Sequence, residues 1–237
     1  VGSEMCIRDR AKRGEKVLIA SHTNRAVDNV VELLPVEITL RVGRPEKVVK
    51  EVRPYMLSYK ARQALGERLR SLEEKISERS EERKRLSELC NELRKEYTKY
   101  GLGRPKVCER LKIVERELRN LIAERNEMLK RESERLVGEA KIIGSTLVKS
   151  ALWPLAGVSF DTVIIDEASQ ATATLALLAM VKARKWVLIG DHYQLPPVFK
   201  TLEEAVEHPE AVDPLSAFNR LVRLAGEGGL LWPRTHY

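Results

Sequence analysis

Two rhythms of apolar residues alternate along this chain. Towards both ends the apolar positions form short unbroken runs that stop at small or polar residues. Lys16-Val-Leu-Ile-Ala20 runs into Ser21-His-Thr-Asn24, Ala140-Lys-Ile-Ile143 into Gly144-Ser-Thr146, Thr162-Val-Ile-Ile165 into Asp166-Glu167, and Trp186-Val-Leu-Ile189 into Gly190-Asp191. Runs of four or five aliphatic residues suit strands buried on both faces, so the four segments predict a parallel sheet with helices packed on it. Between Lys60 and Arg135 the rhythm becomes heptad. Leu65, Leu69, Leu72, Ile76, Leu86, Cys90, Leu93, Tyr97 and Tyr100 step by four and three, with Arg79 and Arg83 at the two skipped positions. Val107, Leu111, Val114, Leu118, Leu121 and Met128 continue the pattern beyond Gly101-Leu-Gly-Arg-Pro105. Two glycines and a proline between helical trains mark a reversal, and Pro105 suits the first turn of the returning helix. The segment therefore predicts an antiparallel helical hairpin, each arm roughly 45 to 60 Å long.

Composition sharpens this division. The hairpin segment holds 22 of the 42 Lys+Arg and 16 of the 35 Asp+Glu, so +6 of the net +7 belongs to it and the flanking parts are nearly neutral. The basic balance permits a polyanionic partner without requiring one. A solvated structural stalk is the simpler reading of the hairpin; a nucleic-acid-binding arm is the sharper one, favoured by Arg79, Arg83, Lys84 and Arg85. Aromatic residues make up 5% of the chain, so the core is expected to be aliphatic. No apolar run is long enough to span a membrane and none reads as a signal peptide, so a soluble, cytoplasmic protein without a membrane partner is expected. Cys6, Cys90 and Cys108 are too few and too widely spaced for a disulfide framework or a metal knuckle.

The candidate chemistry lies where the strands end, since ligands of open parallel sheets bind beyond the carboxyl ends of the strands. Thr23 and Asn24 either contact a ligand or cap a helix whose apolar face is Ala26, Val27, Val30 and Leu34. Ser145 and Thr146 carry the same two readings. Asp166 and Glu167 are different, because adjacent carboxylates directly after a buried strand are costly without a cation or a water to act on. One carboxylate can hold Mg²⁺ through its water shell while its neighbour accepts a proton from a water attacking a phosphoryl group. Gly190-Asp-His-Tyr-Gln-Leu-Pro-Pro197 then sets an acid and an amide on a loop stiffened by two prolines.

The order of these motifs resembles the 5′ to 3′ superfamily 1 helicases of the group that contains the nonsense-mediated-decay helicase. Ser21-His-Thr-Asn-Arg-Ala-Val-Asp28 is similar to motif Ia, Ile143-Gly-Ser-Thr146 to motif Ic, Asp166-Glu-Ala-Ser-Gln170 to motif II, and Gly190 to Pro197 to motif III. The resemblance spans about residues 12 to 237, and the long insert between motifs Ia and Ic is similar to the stalk of that group. It implies an α/β fold: a RecA-like P-loop NTPase domain with a parallel sheet, interrupted by a coiled-coil stalk. It further implies ATP and Mg²⁺ as cofactors, with Asp166 binding Mg²⁺ and Glu167 as general base. Gln194 would contact the γ-phosphate, Asp191 would support the Mg²⁺ and water network, and Gln170 would couple that site to its surroundings. Thr23, Asn24, Ser145 and Thr146 would touch the backbone of single-stranded DNA or RNA. A second RecA-like domain of the same chain would close over the nucleotide.

Departures from the family pattern set further expectations. Val1 to Arg10 contains no Gly-rich Lys-Ser/Thr loop and reads as a foreign leader. Residues 11–59 are then the first part of the RecA-like domain, 60–136 the stalk, and 137–237 the second part. Subtracting the hairpin leaves about 160 residues, the size of a RecA-like domain without its first strand and loop. Arg234-Thr-His-Tyr237 resembles the start of motif IV, cut before its phosphate-sensing arginine. The chain alone is therefore expected not to turn over ATP. Two alternatives stand beside the helicase: a chromosome-maintenance-type coiled-coil ATPase, disfavoured because no Leu-Ser-Gly-Gly signature precedes Asp166, and a non-catalytic coiled-coil interaction module on a degenerate nucleotide-binding scaffold.

Overall fold

A computed structural model describes residues 2–100, 105–190 and 216–225. The chain divides into two compact units, one formed by the residues up to Lys60 and from Arg135 onward, the other by Ala61–Glu134. The first unit is built on five parallel strands: β1 (Val17–Ser21), β2 (Thr39–Val42), β3 (Ile142–Thr146), β4 (Phe160–Asp166) and β5 (Ala183–Leu188), in the order β2-β3-β1-β4-β5. Its described helices are α1 (Gly2–Lys12), α2 (Asn24–Val31), α5 (Leu147–Ser150), α6 (Ala173–Met180) and α7 (Ala217–Ala225). Helices α3 (Leu57–Lys99) and α4 (Lys106–Glu139) carry the chain out into the second unit and back.

The aliphatic runs are continuous because the central strands are covered twice. Side chains alternate across a strand, so Leu18, Ala20, Ile143, Val163 and Ile165 pack on one face with Leu147, Leu155, Ala176, Ala179 and Phe218. Val17, Ile19, Ile142 and Ile164 pack on the other with Ile7, Val30 and Leu34. The decapeptide expected to be a leader supplies most of α1, and its Ile7 is fully buried in this second layer. The expected apolar face of α2, namely Ala26, Val27, Val30 and Leu34, is buried throughout. A Cβ added to Gly144 of β3 would stand 2.5 Å from Val31 Cγ2 and 3.1 Å from Val27 Cγ1, so glycine lets α2 lie directly on the sheet.

One strand had no aliphatic run to announce it. In β2, an edge strand of the sheet, the sequence Thr39-Leu-Arg-Val42 includes an arginine, and Arg41 is fully buried. Strand β5 starts three residues earlier than the Trp186–Ile189 run and includes the exposed Arg184 and Lys185. Among the described residues no helix is long and apolar enough to cross a membrane.

In the second unit, α3 and α4 pair in opposite directions, since partners recede from the turn in step. Cys90 meets Cys108, Glu82 meets Arg110 at 2.9 Å, and Arg79 Nε meets Glu117 at 3.2 Å. The buried apolar residues are Leu69, Leu72 and Cys90 on α3 and Cys108, Val114 and Leu118 on α4, whereas Tyr100 is 68% exposed and Arg83 also faces solvent. Helix α3 is broken at Gly66, whose φ of 46° and ψ of −121° are not helical. Arg79 also pairs with Glu82, and Arg85 lies 3.7 Å from Glu81. Acidic neighbours thus engage half of the cationic cluster that had suggested a nucleic-acid arm, which favours the stalk reading.

The cysteine expectation needs correction: Cys90 and Cys108 form a disulfide, with Cα atoms 5.2 Å apart. They are 18 residues apart in sequence, but the reversal between the helices places them opposite each other. Closing a loop of this length stabilises by about 3 kcal/mol in the chain-entropy account. Dithiothreitol is therefore expected to lower the melting temperature of the hairpin helices, followed by circular dichroism. A Cys108→Ser chain should melt like the reduced protein whatever the redox condition, and an unshifted melting curve in both cases would contradict the staple.

Candidate functional site

The functional groups gather where the register of the sheet brings strand ends level. Ser21 of β1 lies opposite both Thr146 of β3 and Asp166 of β4. Alternation puts these three on the α2 face of the sheet, the face of Ile19, Ile142 and Ile164. Ser145 points to the other face, is fully buried, and donates its hydroxyl to the carbonyl of Thr146 at 3.2 Å. The Ser21 hydroxyl is also fully buried and has no hydrogen-bond partner among the described residues.

Two of the expected strand contacts are helix caps. Thr23 Oγ1 accepts the N–H of Ala26 at 3.2 Å at the start of α2, and Thr146 Oγ1 accepts the N–H of Lys149 at 3.3 Å at the start of α5. Capping uses a lone pair of each hydroxyl and leaves its proton to donate, so the cap and the ligand contact are compatible. Asn24, half-buried at the first position of α2, receives a hydrogen bond on Oδ1 from Arg41 Nη2 at 3.0 Å.

Asp166 ends β4 and Glu167 turns the chain. Burial pushes the Asp166 carboxyl up from its ordinary range, and the backbone N–H of Glu167 opposes the shift. A cation beside Asp166 would relieve that cost of holding charge. The donor set fits Mg²⁺, a hard cation that keeps several waters and takes one or two carboxylates plus substrate phosphates in place of an all-protein cage. Glu167 has φ 51° and ψ 41°, the left-handed region, and opens a 3₁₀ turn over Ala168–Gln170. A non-glycine residue there costs about 1–2 kcal/mol, and strain of this kind concentrates at active sites. The turn is pinned on both sides: Ala168 N–H donates to Ile189 O at 2.8 Å, Ile189 N–H to Ile165 O at 2.8 Å, and Gln170 N–H to Glu167 O at 3.0 Å. The end of β5, which leads into Gly190, is thereby tied to the carboxylate turn. Asp191 and Gln194, the remaining expected nucleotide contacts, lie outside the described residues, as do Arg234 to Tyr237.

Reading the sequence alone missed a buried polar network beneath Asn24. Arg41 Nε donates to Asp28 Oδ1 at 2.7 Å, Arg41 Nη1 to Val42 O at 2.8 Å, and Val49 N–H to Asp28 Oδ2 at 3.2 Å. Arg41 is 0% and Asp28 1% exposed. Burial pulls the guanidinium down from its ordinary value, and the Asp28 carboxylate works against that. Its signal was an arginine flanked by aliphatics in Ile38 to Val42, together with an aspartate on the apolar face of the preceding helix.

A doubly covered parallel sheet whose carboxyl edge carries an Asp-Glu turn between two capped helix starts defines a RecA-like nucleotide-hydrolase domain, here with a helical insertion. Comparison with known proteins agrees. A family model described as "AAA domain" matches residues 3–202, and the chain belongs to that family. It is 25% identical to an uncharacterised ATP-dependent helicase of Methanocaldococcus jannaschii over 93% of this chain and 35% of that protein. It is 26% identical to the DNA polymerase alpha-associated DNA helicase A of Schizosaccharomyces pombe over 93% of this chain and 30% of the relative. The 5′–3′ DNA helicase ZGRF1 of Mus musculus matches at 28% identity over 94% of this chain and 10% of its own length. The chain thus spans about a third or less of each of these relatives, whose names agree with the superfamily 1 resemblance of its motifs.

Proposed function

We propose that this chain is the part of an ATP-dependent helicase in which Mg²⁺-dependent ATP hydrolysis is coupled to movement along single-stranded DNA or RNA. The observation that carries the reading is the Asp166-Glu167 turn at the end of a central buried strand, level with Ser21 and Thr146 on the same face of the sheet. Asp166 would hold Mg²⁺. When bound, Mg²⁺ neutralises charge developing on the phosphate oxygens. Glu167 accepts the proton of the attacking water as its oxygen bonds to the γ-phosphorus and the bond to ADP breaks. Gln194 contacts the γ-phosphate, Asp191 supports the surrounding water network, and Gln170 couples the turn to its neighbours. Thr23 and Thr146 donate their hydroxyl protons to phosphodiester oxygens of the strand, and Asn24 completes that contact; Ser145, expected to share it, is buried on the opposite face of the sheet and bonds the Thr146 carbonyl instead. Such backbone contacts hold a strand without reading its sequence. A second RecA-like domain closes over the nucleotide, and hydrolysis releases it.

The stretch ahead of Ala11 contains no Gly-rich Lys-Ser/Thr loop, the element that cradles the β- and γ-phosphates in this class of enzyme. The polypeptide of residues 1–237 is accordingly expected to show no ATP turnover above a no-protein blank, with or without a single-stranded oligonucleotide. Supplying such a loop ahead of Ala11 and a second motor domain beyond Tyr237 should bring turnover that the oligonucleotide stimulates. An assembled motor of that kind that stays inert with the oligonucleotide present would count against the helicase reading.

A further inference from the structure

The buried network under Asn24 has a direction. Asn24 and Asp28 are one helical turn apart on α2, so they share a face, and that face meets Arg41 of β2. A guanidinium has donors only. Whatever the side-chain amide of Asn24 does elsewhere, the atom it turns to Arg41 Nη2 at 3.0 Å must be its oxygen. The Nδ2 group then points the other way, and no group among the described residues takes it up. We propose that Arg41 is a positioning residue for nucleic-acid binding: it fixes the Asn24 amide so that its NH₂ is presented as a donor to a phosphodiester oxygen. This rests on the reading of Asn24 as a strand contact and extends it to a residue that never touches the strand.

The rest of the network serves this orientation. Asp28 takes the Nε–H of Arg41 on one oxygen and the N–H of Val49 on the other, and Val42 O takes Nη1. The guanidinium plane is thus held at Nε and Nη1 while Nη2 reaches the helix start. Space for it comes from Gly43, where an added Cβ would stand 2.9 Å from Arg41 Nη1. Lysine cannot substitute, since a single ammonium on a flexible stem does not reproduce a planar fork that engages carboxylate, carbonyl and amide together. An unheld amide would present oxygen and NH₂ to the strand in turn, and the oxygen repels phosphate.

The test uses residues 1–237 and a fluorescein-labelled oligo-dT, followed by anisotropy at low salt, with a melting curve for each variant. Asn24→Ala is expected to weaken binding about tenfold, as loss of one hydrogen bond to a charged acceptor does. Arg41→Lys should weaken it to a similar extent, and the Arg41→Lys/Asn24→Ala double variant should bind no worse than Asn24→Ala alone. Residues that act through one another are non-additive in this way, whereas a general loss of structure adds its own cost. Asn24→Asp gives a second reading that leaves Arg41 intact. It keeps an acceptor for the guanidinium and should melt at or above the temperature of the unmodified chain, yet it lacks the donor and should bind at least as weakly as Asn24→Ala. Wild-type affinity in Arg41→Lys or Asn24→Asp, or full additivity in the double variant, overturns the inference alone. No binding by the unmodified chain overturns the nucleic-acid reading, and the inference with it.

Discussion

Asp28→Ala is expected to lower the unfolding free energy by about 3–5 kcal/mol, the cost of leaving one member of a buried ion pair without its partner. The size follows from what remains. Arg41 would keep a positive charge at 0% exposure with one carbonyl and one amide oxygen to face it. The N–H of Val49 would lose its acceptor as well. Urea denaturation monitored by circular dichroism measures the loss, and a change below about 1 kcal/mol would show that the pair is not isolated from water as its burial implies. The cause can be separated from the size. Replacing both partners with apolar residues of similar volume removes the charge and its orphan together, and such exchanges are often near neutral. Asp28→Leu/Arg41→Met should therefore recover most of the stability that Asp28→Ala loses, while losing oligonucleotide affinity because Asn24 is no longer held.

Glu167→Gln is expected to reduce ATP turnover by about 10²- to 10⁴-fold, the range for removing a general base. The measurement is made in a polypeptide that joins this chain to a phosphate-binding loop and a second motor domain. Glutamine keeps the size of the side chain and can still hydrogen-bond the attacking water, but it cannot take the proton, so the Michaelis constant for ATP should move little. Glu167 also holds the left-handed backbone conformation of the turn, with φ 51°. Glu167→Gly separates the two contributions, because glycine adopts that conformation without steric cost. It should lose turnover as Gln does without loss of thermal stability. Retention of more than a tenth of the turnover in Glu167→Gln would remove Glu167 from the role of base.

The fold was legible wherever local pattern and tertiary environment agree. Strands β1, β3 and β4 are aliphatic runs because both faces are covered, and α3 and α4 keep heptad spacing because each buries a narrow seam against the other. β2 was not legible, because its Arg41 reads as a surface residue until Asp28 is seen to be buried with it. The cysteine pair escaped for a related reason. Cys90 occupies a seam position of the first train, but Cys108 lies off the second, and only the phase of the turn brings them together.

At the candidate site the chain order of the motifs and the chemistry of Asp166-Glu167 stood in the sequence, because residue type and a preceding buried strand suffice to recognise groups that need a cation or a water. Whether the hydroxyls cap helices or face a ligand depended on side-chain direction. Thr146 and Ser145 are neighbours in sequence yet point to opposite faces of the sheet, as alternation along a strand requires. The sequence by itself therefore determined which chemical groups arrive at the edge of the sheet. The tertiary structure decided their register, which of them share a face, and that an arginine from a strand no pattern announced holds the Asn24 amide. Those are properties of contacts between segments far apart in the chain, and no local spacing encodes them.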